Sequence, residues 1–492
     1  MEGRPQIRKA IVIGAGIGGI AASVRLAVKG YAVDVFESNA YPGGKLSEFG
    51  NQGFRFDAGP SLFTMPQYVD ELFELAGKDP RDYFNYQKLD MICRYFYEDG
   101  TRISAWADPL AFANEIASRT TDSAESVRRF MEKSEEIYRI TNHVFLERSL
   151  HKLNTYLRAD TLRSVLEFPK IDPFRTMNDA VEDFFSDSKT RRFFNRYATY
   201  NGSDPYRAPA TLNVIPHLEQ HYGAWFPEGG MFAITRSLVQ LAEELGVKFH
   251  YTTPVKQVLL GGKQVKGVQT EEGDFFAEVV VSNMDVWFVY QKLLKGIPPP
   301  KRTLRQERSS SALIFYWGIG RTFDELDLHN IFFSEDYREE FRCIWDQQSV
   351  CADPTVYVNI SSKYEKSDAP EGCENWFVMI NVPANKGQDW DRLIEEARGQ
   401  IIQKLSRNLG TDIGALIRTE NILDPRSIES LTSSYQGALY GTSSNNRFAA
   451  FLRHPNFSGA VKGLFFTGGS VHPGGGIPLA LLSARIAVEN VG

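Results

Sequence analysis

The stretch KAIVIGAGIGGIAASVRLAVKGYAVDVFE, residues 9–37, constrains the fold more than any other part of the chain. An apolar run, residues 10–13, meets the turn Gly14-x-Gly16-x-x-Gly19. Beyond it Ile17, Ile20, Ala21, Val24 and Val28 recur at the spacing of one buried helical face. Gly30 ends that helix, Val33 and Val35 alternate along a second strand, and Glu37 follows. Each part has a physical role in holding a dinucleotide. Gly14 permits the tight turn, Gly16 lets the backbone approach a pyrophosphate, and Gly19 lets the helix lie close to the strand. The first helical turn, which includes Ile17 and Gly18, presents free N–H groups and the positive dipole end to phosphate. Glu37, 18 residues after Gly19, is placed to accept hydrogen bonds from a ribose.

Length and charge narrow the class. A chain of 492 residues holds two or three domains. A net charge of −6 leaves no broad basic face, which excludes nucleic acid as a partner. Cys93, Cys343, Cys351 and Cys373 are scattered without metal or redox spacing and read as reduced cytosolic thiols. Arg4, Arg8 and Lys9 before the apolar run mimic a targeting segment. Arg25 and Lys29 interrupt it before about 18 apolar residues accumulate, so it is too short to span a membrane.

A second glycine cluster follows the acid in YPGGKLSEFGNQGFRFDAGPSLF. Gly43, Gly44 and Lys45 imply another close approach to the pyrophosphate, where a simple nicotinamide dehydrogenase would return to a crossover helix. Here the chain resembles the flavin-containing amine oxidase and carotenoid desaturase superfamily, which carries this glycine pair in its FAD domain. That resemblance implies that GLFFTGGSVHPGGGIP, near the C-terminus, covers the flavin ring. Gly468, Gly469 and Gly476 would lie where side chains would collide with the ring. Ile477 and Pro478 open a helix whose positive end faces the flavin.

The resemblance extends to the bacterial and fungal-type carotenoid desaturases through HPGGGIP, FDAGPSLF and YATYNGSDPYRAPATLNVIPHLE. It implies an α/β fold: a Rossmann-type FAD domain (1–65, 228–286 and 436–492), an inserted substrate-binding sheet domain (66–107 and 287–435) and a helical domain (108–227). It further implies non-covalent FAD and a carotenoid substrate. Ser61 and Leu62 would touch the cofactor, a strand bearing Val255 would meet the adenine, and Asn283 would return to the cofactor.

The implied reaction is desaturation of an acyclic carotenoid end, with the branch that installs the 3,4 double bond beside a 1-hydroxylated terminus slightly favoured over phytoene desaturation. A hydride leaves for the flavin and a proton for a base, for which His472, among the flavin glycines, is the nearest candidate. No second GxGxxG occurs, so electrons pass to an external acceptor, oxygen or a quinone. The basic and aromatic cluster from Arg191 to Tyr197 reads either as a membrane-contacting face or as a helix with a core-facing Phe pair. The expected location is cytoplasmic, peripherally associated with the membrane. His217 and His221 flank Glu219 without a third ligand, so they read as structural, and no metal is expected. The run KRTLRQER, residues 301–308, reads as a solvated charge run. Two other readings stay open: an amine or protoporphyrinogen-type flavin oxidase, and a non-enzymatic prenyl-lipid carrier of the same fold.

Overall fold

The computed structural model describes residues 8–142, 146–152, 155, 161, 166–446 and 452–492. Arg4 of the targeting-like segment lies outside them, as do parts of the helical stretch expected over 108–227.

Five short strands form an all-parallel sheet in the order Leu464–Phe466, Val279–Ser282, Lys9–Ile13, Ala32–Phe36, Lys248–His250. Their Val- and Ile-rich sequences suit a sheet buried on both faces. Helices Ile17–Val28, Phe232–Glu244 and Ile477–Glu489 cover one face and join Val12, Val33, Val35 and Val281 in a single core. A three-stranded antiparallel sheet, Gln257–Gly261, Gln264–Gln269 and Asp274–Phe276, covers the other through Val258, Val265 and Val268. Helix Gln67–Leu75 buries Val69, Leu72 and Phe73 in the helical-side core. This helix, expected with the second sheet, therefore packs with the first, while strands Met91–Phe96 and Arg102–Trp106 of the same segment join the second.

The second sheet has seven strands: Ile417–Leu423, Ser311–Ile319, Glu374–Val382, Val356–Asn359, His329–Phe332, Met91–Phe96 and Arg102–Trp106. Only the pairing of His329–Phe332 with Met91–Phe96 is parallel. Strand periodicity sorts its side chains. Leu313, Phe315 and Trp317 pack under helix Trp390–Leu409, while Ile314, Tyr316, Phe377 and Met379 face a large internal cavity.

Helices of the third layer start where short polar side chains cap them. Asp108, Ser123 and Asp187 each accept from a first-turn amide, and Thr176 forms a capping box with Asp179. Helix Ser188–Asn195 and the turn after it correct the membrane-face reading. Phe193, Phe194 and Tyr197 are fully buried, and Arg196 is buried with them. Arg191 donates to the Phe185 carbonyl and Arg192 to that of Ser334. Aromatic burial wins because three more aromatics, Phe112, Phe130 and Phe185, pack against this pair. The 301–308 run is also only partly solvated, since Arg308 turns inward over the Tyr435 ring, 3.9 Å from Asp285.

Candidate functional site

Strand Lys9–Ile13 runs straight into Gly14, whose φ of +92° is a left-handed conformation that favours glycine. Gly16 caps helix Ile17–Val28 through its carbonyl, which accepts from Gly19 and Ile20, and no side chain caps the amides of Ile17 and Gly18. A Cβ on Gly19 would fall 2.1 Å from the Gly14 carbonyl oxygen, so only glycine lets this helix cross the strand so closely. Gly43 docks on the same turn, its amide donating to the Ala15 carbonyl at 2.7 Å, and Gly44 follows it into the cavity wall.

The Glu37 carboxylate is buried and held by backbone amides. Ala15 donates to Oε2 at 2.7 Å and Asn39 to Oε1 at 2.8 Å. Ser38 Oγ also donates to Oε1, at 3.2 Å, so of the carboxylate's about four acceptor sites the one left for a ligand hydroxyl is on Oε2. Val255 lies near Glu37 in the cavity wall, but in the segment between strands Lys248–His250 and Gln257–Gly261, not on a strand as expected.

The C-terminal glycines arrive from 450 residues away. Gly468 and Gly469 follow strand Leu464–Phe466, with the Gly468 amide donating to Ser483 Oγ at 2.7 Å. Gly476 and Ile477 begin helix Ile477–Glu489, again without a side-chain cap. Asn283 joins the two clusters: its amide side chain lies where Cβ atoms on Gly16, Gly18 and Gly468 would fall, at 2.4, 2.8 and 2.6 Å. Two uncapped helix N-termini and three glycine pairs thus converge on one cavity of about 1130 Å³. Such a cradle is able to hold a dinucleotide, with its phosphates at the Gly16 helix.

Lys45 is half-buried, its Nζ donating to the Leu439 carbonyl at 2.8 Å and the Ala438 carbonyl at 3.3 Å. Burial pushes its ammonium down to about 8, against a weaker opposing pull from Asp285. Ser61 Oγ lies 2.7 Å from the Tyr357 hydroxyl, and Leu62 lines the cavity beside it. His472 lines the cavity too, at 2% exposure. Its Nε2 donates to the Arg148 carbonyl at 2.7 Å, which leaves Nδ1 as the accepting nitrogen. Burial pushes its ring down to about 4, so it is neutral at physiological pH.

Several cavity residues escaped the sequence reading. Glu219 sits between two stacked histidines in sequence, but its carboxylate turns to Arg196 (3.2 Å) and the hydroxyls of Tyr197 (2.6 Å) and Tyr200. Arg453 donates to the Tyr440 carbonyl at 2.7 Å, and Tyr440 packs on Gly475. Arg453 and Tyr440 sit in loops with no period; only the serine- and glycine-rich composition of 433–445 signalled that segment. Among the described residues no group of three His, Cys, Asp or Glu is placed to hold a metal.

Comparison with known proteins matches this geometry. Residues 17–492 match the family described as flavin containing amine oxidoreductase. The chain is 50% identical to the 1-hydroxycarotenoid 3,4-desaturase of Flavobacterium sp. (strain P99-3), covering 98% of this chain and 99% of that protein. It is 34% identical to the 4,4'-diapolycopene oxygenase of Methylomonas sp, covering 98% of each. Among solved structures, an oxidoreductase from Methanosarcina mazei superposes with a TM-score of 0.65 at 14% identity, covering 98% of this chain and 100% of that one. The chain belongs to the flavin-containing amine oxidoreductase family and is an enzyme of the oxidoreductase class.

Proposed function

We propose that this protein holds FAD non-covalently and desaturates the acyclic end of a carotenoid, installing the 3,4 double bond beside a 1-hydroxylated terminus. The observation that carries the reading is the near-full-length, 50% identity to a 1-hydroxycarotenoid 3,4-desaturase. The cavity supports it. One end is the glycine cradle, and the rest is walled by Ile314, Phe377, Met379, Leu212 and Leu218, a surface that suits a long polyene. The cradle fits FAD: two helix N-termini without side-chain caps and the Gly43–Gly44 and Gly468–Gly469 turns line it, and Glu37 keeps acceptor capacity for a ribose hydroxyl.

FAD, when bound, supplies the acceptor for the hydride that leaves one carbon of the reacting bond. The chain's own residues do the rest. Ile17, Gly18 and the glycines of both clusters hold the cofactor, with Lys45, Ser61, Leu62, Val255, Asn283 and Ile477 around it. The apolar walls align the substrate bond and exclude water. The positive charge left on the substrate spreads along the polyene, so the adjacent C–H is acidic and a weak base suffices. His472 Nδ1 takes that proton. Electrons leave for oxygen or a quinone.

The substrate implies a membrane source, which the protein meets peripherally from the cytoplasm. Among the described residues no helix is long and apolar enough to cross a membrane. Leu166 and Phe174, exposed in the helical layer, support a lipid-contacting surface there in place of the buried Arg191–Tyr197 cluster.

The test is to supply FAD-loaded enzyme, in liposomes, with phytoene and a 1-hydroxylated carotene in parallel. The expected outcome is conversion of the hydroxylated carotene to a product with one more conjugated double bond. Conversion of phytoene with the hydroxylated carotene untouched overturns the 3,4-desaturase reading.

A further inference from the structure

We propose that His329 binds the substrate's hydroxyl, its Nε2–H donating to the oxygen on carbon 1. This rests on the function proposed above and names the residue that selects the hydroxylated end.

His329 opens strand His329–Phe332, is 3% exposed, and lines the cavity beside Ile331 and Phe377. Its Nδ1 lies 2.7 Å from the Tyr357 hydroxyl and 3.2 Å from Asn359 Nδ2. Asn359 Nδ2 is a donor, and its other bond runs to the Leu328 carbonyl at 3.0 Å. A donor facing Nδ1 requires a lone pair there, so the ring hydrogen sits on Nε2. Tyr357 then donates to Nδ1 and accepts from Ser61. Two donors lock the tautomer and the ring plane.

The locked Nε2–H finds no partner among the described residues. A buried donor left unpaired is costly and uncommon in native folds. Protonation does not resolve it, because burial and the nearby Arg196 charge push the ring down to about 3. His329 is therefore a fixed neutral donor, matched to an uncharged acceptor oxygen on an apolar body. A tertiary alcohol at the end of a polyene is such a ligand. The charges nearby do not compete for it, since Arg196 is paired with Glu219.

Position agrees with chemistry. Ser61 follows the Gly59-Pro60 turn beside the glycine cradle, and two hydrogen bonds, Ser61–Tyr357 and Tyr357–His329, connect it to the donor. In a 1-hydroxylated end, the oxygen sits two carbons from the 3,4 bond. A donor close to the cofactor cradle is where that oxygen must be held when this bond reacts.

The test compares kcat/KM for a 1-hydroxylated carotene and for the same carotene lacking the hydroxyl, using FAD-loaded enzyme in liposomes. His329→Phe should lower the ratio of the two by roughly 5- to 100-fold, the cost of an unpaired buried hydroxyl. His329→Gln, whose amide N–H stands in for Nε2–H, should restore most of it. Flavin absorbance verifies folding. Where His329→Phe holds no flavin, Tyr357→Phe reads the same ratio, because it unlocks the ring, and a smaller fall is expected. An active wild type whose preference survives these substitutions overturns the hydroxyl site alone. A wild type inactive on both carotenes overturns the proposed function, and the hydroxyl site with it.

Discussion

Replacing Gly16 by alanine separates cofactor binding from folding. Gly16 has φ −69° and ψ 168°, open to any residue, so the backbone does not resist the change. The new Cβ would lie 2.4 Å from Asn283 Oδ1, with the next atom, Cγ of the same side chain, at 3.6 Å. The obstacle is the end of one side chain. Turning it off its rotamer costs about 0.5–1.5 kcal/mol, offset by the roughly 0.4–1 kcal/mol gained when glycine leaves the unfolded chain. Apo-protein stability should therefore change by less than about 1 kcal/mol. The cofactor suffers more, because methyl and displaced amide stand between the phosphates and the uncapped helix. Losing two charge-assisted N–H bonds costs about 3–6 kcal/mol, or two to four orders of magnitude in Kd. The assay is an FAD fluorescence titration of apo-protein, with circular dichroism melts alongside. Gly19→Ala is the contrast, since its Cβ would meet a backbone oxygen at 2.1 Å and the fold itself should fail. An unchanged FAD Kd in Gly16→Ala, with the apo melt unchanged, refutes the cradle.

Glu219→Gln leaves the buried Arg196 guanidinium uncompensated, which costs about 3–5 kcal/mol, so the melting midpoint should fall by several degrees; an unchanged midpoint would show that the pair is dispensable. His472→Asn should keep flavin but slow turnover by 10²- to 10⁴-fold if Nδ1 takes the proton, and a kcat near wild type removes that role. Lys45 has a folded pKa of about 8, below its ordinary 10.5. Between those values the folded state binds fewer protons than the unfolded chain. Apo-protein stability should therefore rise as pH climbs from about 8 to 10.5, by on the order of 3 kcal/mol. Lys45→Met should flatten that rise in pH-dependent denaturant melts, and an equal rise in both proteins argues against a buried ammonium.

The glycine cradle was legible in sequence because its constraints are local. Turn, helix spacing and acid all fall within residues 9–37, and the C-terminal glycines are followed at once by a helical period. The Arg191–Tyr197 cluster was ambiguous because local pattern cannot tell whether lipid or a third layer covers a Phe pair. Phe112 and Phe130, from other helices, settle it. Arg308 looked solvated because its neighbours are charged, whereas its partners, Asp285 and Tyr435, are distant in sequence. His329 carried no signal at all. Its role depends on Asn359, set opposite it by strand pairing, and on Tyr357, two residues along the same neighbouring strand.

The most direct measurement is anaerobic single turnover. FAD-loaded enzyme in liposomes is mixed with a 1-hydroxylated carotene, and flavin and polyene absorbance are followed together. The expected result is loss of the oxidised flavin band in step with a red-shifted polyene, one product per flavin, and FAD released intact by acid. A flavin that stays oxidised in the presence of the hydroxylated carotene, while another substrate bleaches it, would contradict the proposed reaction.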